Sequence, residues 1–131
     1  MTLSPIPSFI EFVNMPDLLD RVDDDQEFMR ELFLLFRVEF PRLQIELQEA
    51  VSRRDLQQAA KTAHMLKGML ANLSIEVPAS AMEIVEHAAA EEDQAGTEDA
   101  LIVFRGKIPN LLPCLDVYLD EPLLQEGSSE S

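Results

Sequence analysis

The chain has little of several things. Its 131 residues include one cysteine (Cys114), one tyrosine, no tryptophan and only four glycines. A single cysteine excludes an intrachain disulfide framework and any zinc site built on thiolates. Scarce glycine beside 47% apolar residues excludes collagen-like and low-complexity structure. Basic residues are short too: 10 Lys and Arg stand against 25 Asp and Glu, a formal charge of −15 at pH 7. Such a chain repels phosphate backbones and anionic lipid headgroups, so neither nucleic acid nor a membrane is an expected partner. No apolar run approaches the roughly 20 residues of a membrane span. The stretch MTLSPIPSFIEF lacks the basic and apolar regions of a secretory leader. A soluble, cytoplasmic, monomeric domain with one sizeable core is expected.

What is present is helical periodicity nearly throughout. After Pro5, Pro7 and Pro16, the segment 17–22 (DLLDRV) reads as a short helix or turn. Asp24 and Glu27 have the spacing of a carboxylate capping box at the start of a helix running to about Ser52. Its expected core stripe is Phe28, Leu32, Leu35, Phe36, Leu43, Leu47 and Ala50, widened by Phe33, Leu34 and Phe40. Pro41 inside it should kink the helix at a cost of ~3 kcal/mol unless packing compensates. Asp55 with Gln58 opens the next helix, to about Leu73. Ser74 to Val77 reads as a loop and Pro78 as the first residue of a further helix, with Ala81, Met82, Val85, Ala88 and Ala89 on its apolar face. Gly96 and Thr97 read as a stop and a fresh N-cap. The last helix repeats Leu101, Phe104, Ile108, Leu111, Leu112, Leu115 and Leu119, with a kink or break near 108–110 from Pro109 and Pro113. No alternating run signals a strand. The pattern predicts an all-α fold, an antiparallel up-down four-helix bundle with a short extra N-terminal helix. Its expected divisions are an extension at 1–16, the bundle at 17–122 and a disordered polar tail at 123–131.

Little in the chain suggests catalysis of its own. There is no glycine-rich phosphate loop. The acidic frame Asp20 to Glu31 lacks the sixth-position glycine of a calcium loop, and helix capping accounts for it. His64 and His87 lie 23 residues apart without a nearby third ligand, so no metal site is expected. The informative stretch is DLQQAAKTAHMLKGMLANL, Asp55 to Leu73. At about 100° per residue, Ala59, Ala63, Leu66, Leu70 and Leu73 share the core face. His64 falls opposite, with Gln57, Lys61 and Gly68, and Lys67 lies on the flank. A mid-helix glycine costs ~1 kcal/mol against alanine and has no packing role on an exposed face, so something should approach that backbone. Residues 53–67 carry Arg53, Arg54, Lys61 and Lys67 against Asp55 alone, a local +3 in a chain of −15. A positive field around an exposed imidazole suits receipt of a phosphoryl group.

The segment AHMLKG, Ala63 to Gly68, followed by Asn72 and Leu73, resembles the signature of histidine-containing phosphotransfer (HPt) domains. The preceding LLDRVDDDQEFMRELFLLF (Leu18 to Phe36) and the following AMEIVEHAA (Ala81 to Ala89) resemble the flanking helices of that family, so the similarity covers roughly 17–120. The resemblance implies that His64 accepts the phosphoryl group, that Lys67 lies near its oxygens and that Gly68 leaves room for a receiver domain. Lys61 is added from the helical wheel as a steering charge, and Met65 and Asn72 as docking positions. Met69, Ala71 and Ser74 depart from the family's preference for small residues or glycine, which bears on docking and partner choice. The implied partners are response-regulator receiver domains and a sensor (hybrid) histidine kinase. The implied Mg²⁺ belongs to the receiver, with no cofactor on this chain. The expected function is a phosphorelay intermediate that takes a phosphoryl group from one receiver aspartate and passes it to another, without kinase activity. The alternative is a helical adaptor or inhibitor that binds a receiver or kinase without chemistry, which would have no use for His64 beside Lys67 and Gly68.

Overall fold

A computed structural model of the chain describes residues 9–120. The expected tail at 123–131 and the first half of the extension at 1–16 lie outside the described residues. Among those described, all regular structure is helical: a 3-10 turn at Phe9–Glu11, then α1 (Met15–Arg21), α2 (Gln26–Ser52), α3 (Leu56–Asn72), α4 (Glu76–Ala90), α5 (Gln94–Gly106) and α6 (Leu111–Asp120). No helix among them is long and apolar enough to cross a membrane.

α3 packs most extensively on α4, α4 on α5, and α2 on α3. α5 and α6 together run back along α2. The side-chain amide of Gln94 donates to the Val51 carbonyl at 3.0 Å, Arg37 pairs with Asp116 at 3.3 Å, and Arg30 donates to the Leu119 carbonyl. The core between them is filled by Phe33, Phe36, Phe40 and Leu47 of α2, Leu66 and Leu70 of α3, Met82 and Val85 of α4, and Phe104 and Leu115 beyond. Phe9 and Val13, ahead of α1, are buried in the same core. Phe9 meets Phe33 edge-to-face at 5.0 Å and Tyr118 at 5.5 Å, so the 3-10 turn and α6 close over one end of α2.

The turns carry an inversion of the usual residue roles. α1 to α4 each end with a residue at positive φ, and none is glycine: Asp24 (60°), Arg54 (61°), Ser74 (58°) and Glu92 (58°). After Arg54, Ser74 and Glu92 the next backbone N–H reaches back five residues, Asp55 to Ala50, Ile75 to Leu70 and Asp93 to Ala88, at 2.8 to 3.0 Å. This is the Schellman closure. That same next residue then caps the following helix, Asp55 accepting from the Gln58 N–H and Asp93 from the Gly96 N–H. Meanwhile the described glycines, Gly68, Gly96 and Gly106, all sit inside helices.

Several sequence expectations shift accordingly. Gly96 does not stop a helix: α5 starts two residues earlier under Asp93, and Thr97 is buried with its hydroxyl donating to the Asp93 carbonyl at 2.7 Å. The cap of α2 is Asp25 rather than Asp24, because the turn consumes Asp23 and Asp24 in left-handed conformations. Pro78 is the third residue of α4 rather than its first. On α2, Phe28, Leu34 and Leu35 are exposed, Met29 is buried in their stead, and Phe33 and Phe40 are buried as expected. A stretch apolar on nearly every azimuth has no unique periodic face. α2 runs unbroken through Pro41, flanked by the stacked Phe36–Phe40 pair at 4.6 Å. The break near 108–110 is present, with Asn110 at φ 65° between α5 and α6. Pro113 falls in the first turn of α6, where its missing N–H is harmless.

Ser74 differs from the other turn residues. It is buried, and its hydroxyl donates to the Asp17 carboxylate at 2.6 Å, while the Asn14 N–H donates to the Ser74 carbonyl at 2.8 Å. The hydroxyl and the Arg21 guanidinium hold the Asp17 carboxyl below its ordinary range. α1 is thereby latched to the α3–α4 turn. Relief of a left-handed conformation by glycine stabilises by up to ~1 kcal/mol, so Glu92→Gly should raise Tm by about 2–4 °C. Ser74→Gly relieves the same strain but loses the latch, and should gain less or fall below wild type in thermal unfolding. Equal gains at both positions would show that the hydroxyl holds nothing.

Candidate functional site

His64 lies in the middle of α3 with its side chain 67% exposed. The helix orients it by burying the face that carries Ala59, Ala63, Leu66 and Leu70, as the sequence periodicity predicts, with Thr62 added to that face. Lys61 is exposed one turn before it, and Gly68 lies one turn after. A Cβ built on Gly68 meets nothing within 4 Å, so the backbone there is open ground beside the imidazole.

Glu86 of α4, which sequence reasoning did not single out, stands between the two residues that it did. Its Oε2 lies 2.9 Å from His64 Nδ1 and its Oε1 lies 2.9 Å from Lys67 Nζ. Burial pushes the Glu86 carboxyl upward, but hydrogen bonds from Lys67 and His64 outweigh it and leave the group below its ordinary range. The same bond raises Lys67 above its usual value. An ionised carboxylate can only accept, so His64 Nδ1 carries the hydrogen, and the neutral form of the ring has its lone pair on Nε2. The field around the imidazole is therefore not the simple positive one read from α3 alone. A signal for Glu86 exists in hindsight: on α4 it is a half-exposed acid one turn after the buried Met82 and next to the buried Val85. Only the packing of α4 on α3 shows what it faces. Glu83 and His87 are exposed, as the wheel predicts, and His87 Nε2 pairs with Glu91 at 3.3 Å.

The other flank of α3 is apolar. Met65 is 51% exposed, and Met69, Asn72 and Leu73 line a shallow groove with Leu32, Leu35 and Phe36 of α2. Leu35, expected in the core, is exposed at this groove, while Leu32 is partly buried and packs against the core as well. The site is thus a polar triad of His64, Lys67 and Glu86 on the α4 side, bare backbone at Gly68, and an apolar strip on the α2 side. Among the described residues no group of three His, Cys, Asp or Glu side chains could hold a metal ion.

The described face thus sets an outward imidazole beside a lysine and an open glycine on a helical fold. A family model described as the Hpt domain matches residues 31–116, and the chain belongs to the Hpt domain family. Domains of this family carry out phosphotransfer in two-component signalling and interact with receiver domains and kinases. No curated protein and no solved structure matches the chain.

Gly68 separates stability from access. Because a side chain there meets open space, Gly68→Gln should preserve or raise Tm, glycine being the poorest helix former after proline. It should sharply slow phosphoryl transfer from a receiver while leaving labelling by phosphoramidate, a small donor, in place. Loss with both donors would assign the glycine to local geometry and not to clearance.

Proposed function

We propose that this chain is a phosphorelay intermediate: His64 takes a phosphoryl group from the aspartyl phosphate of one receiver domain and yields it to the aspartate of another. The observation that carries this reading is the 2.9 Å contact of His64 Nδ1 with the Glu86 carboxylate on an exposed ring, which suits the neutral tautomer with its hydrogen on Nδ1 and its lone pair on Nε2. In the step, the Nε2 lone pair forms a bond to phosphorus as the acyl P–O bond breaks, and the receiver aspartate leaves as a carboxylate. The return step is the same displacement in reverse. The Mg²⁺ and the acidic residues that hold it belong to the receiver; this chain supplies position and charge.

Lys67 is the cation for the transferring oxygens. It reaches them by exchanging one oxygen of Glu86 for one of phosphate, a swap between two anions within its radius. Lys61, one turn away and exposed, adds to the attraction at long range. Gly68 supplies clearance, and Met65 and Asn72, with the groove of Leu32, Leu35 and Met69, form the apolar footing on which a receiver helix rests. The contact order along the chain supports the antiparallel up-down arrangement of α2, α3, α4 and the broken α5–α6 rod, which sets this face on one side of the bundle. The working form is a monomer in the cytoplasm, where receivers and kinase domains are met.

Incubation with a phosphorylated receiver should place one phosphoryl group on the chain, acid-labile and base-stable as a phosphoramidate is. His64→Gln should accept none. Full labelling of that variant would end the proposal, whereas tight receiver binding with no labelling of wild type would favour the adaptor alternative. Lys67→Ala should slow transfer by roughly tenfold or more with at most a modest fall in Tm, since a single partly buried ion pair adds little stability. Equal rates for Lys67→Ala and wild type would remove the lysine from the mechanism.

A further inference from the structure

We propose that Glu86 governs the second half of the relay: it keeps the phosphorylated ring of His64 protonated at Nδ1, and so keeps it a competent donor. The proposal rests on His64 being the acceptor. When Nε2 bonds to phosphorus, the ring already carries hydrogen on Nδ1, so the product is a phosphoimidazolium with one positive charge on the ring. From that cation, the next transfer breaks the N–P bond and expels neutral imidazole, with the electron pair returning to Nε2. If Nδ1 has lost its proton, the same bond cleavage must expel imidazolate, a far poorer leaving group. Donor strength therefore depends on one proton, and that proton faces Glu86 Oε2 at 2.9 Å.

The surroundings of the ring make Glu86 its counter-ion. From α3, Lys61 and Lys67 flank it with positive charge, which opposes a cationic ring. From α4 come Glu86 and, acting on Lys67, Glu83. His87 on the same helix is turned to Glu91. Glu86 is half-buried, and before phosphorylation its charge is shared, with Oε1 held by Lys67 at 2.9 Å. A phosphoryl group on Nε2 draws Lys67 toward its own oxygens. The carboxylate is then released from the lysine at the moment the ring becomes cationic. Arrival of the phosphoryl group thus strengthens the interaction that preserves its onward transfer. Glu86 touches no reacting atom; it is a positioning and charge-holding residue.

The test uses the full chain loaded with phosphoramidate, comparing wild type, Glu86→Gln and Glu83→Gln. Glutamine keeps a carbonyl oxygen to accept from Nδ1–H but removes the charge, and Glu83→Gln controls for loss of one negative charge nearby. The ³¹P resonance of the phosphohistidine is followed against pH. Glu86→Gln should move the midpoint at which Nδ1 loses its proton lower by up to about one pH unit; Glu83→Gln should leave it in place. Transfer from the phosphorylated chain to a receiver should fall by up to about tenfold in Glu86→Gln at pH 8, and the two proteins should converge toward pH 6. Identical midpoints for wild type and Glu86→Gln, or equal shifts in both variants, would overturn the role given to Glu86 while leaving His64 as acceptor. Absence of a phosphohistidine resonance in wild type would overturn the acceptor reading itself, and this proposal with it.

Discussion

The structure depends on the packing of α3 against α4, and that packing depends on the turn at Ser74. The closure from the Ile75 N–H to the Leu70 carbonyl at 2.9 Å leaves one way for the two helices to run back along each other. Counted from Ile75, His64 lies eleven residues before and Glu86 eleven residues after, so the hairpin brings them level. Lys67, one turn nearer the pivot, then falls on the second oxygen of the same carboxylate. A turn one residue longer would rotate α4 by about 100° and aim Glu86 elsewhere. The register of one hairpin thus sets which acceptor faces the imidazole Nδ1.

Charge is arranged unevenly around that hairpin. A chain of −15 places two of its three lysines, Lys61 and Lys67, on the helix that bears His64. The arginines of α2 are engaged elsewhere, Arg37 with Asp116 and Arg42 with Glu39 and Glu46. Positive charge is therefore concentrated on α3 within an otherwise acidic chain. Glu86 adds a local anion that belongs to the ring and not to the incoming group. It satisfies Nδ1 and lends Lys67 a resting partner.

The apolar face beside the site arises from the same economy. α2 is apolar on so many azimuths that one side must remain uncovered once α3, α5 and α6 have packed on the others. Phe28 and Leu35 are left exposed, Leu35 in a groove shared with Met69 and Asn72 of α3. The apolar surface beside the site is the remainder of a helix with more apolar residues than its core can absorb.

Much was legible in the sequence where a local rule has no competitor. The core face of α3, the exposure of His64, the open side of Gly68, the Asp55 cap and the break at Pro109 follow from period, capping chemistry and proline geometry, and the structure agrees. Element ends were misjudged wherever glycine was taken as the mark of a turn. Here Arg54, Ser74 and Glu92 take the left-handed positions, and Gly96 lies within a helix. The Schellman bonds and caps around those residues outweigh their intrinsic reluctance, a balance no single residue reports. The azimuth of α2 was ambiguous for a related reason, since periodicity cannot choose among several apolar faces until neighbouring helices claim them. Composition and local pattern were enough to determine an acidic helical protein with an outward histidine beside a lysine and a bare backbone. That Glu86 meets that histidine was decided only by tertiary structure, because the two residues are neighbours through the register of a hairpin and not through any spacing along a helix.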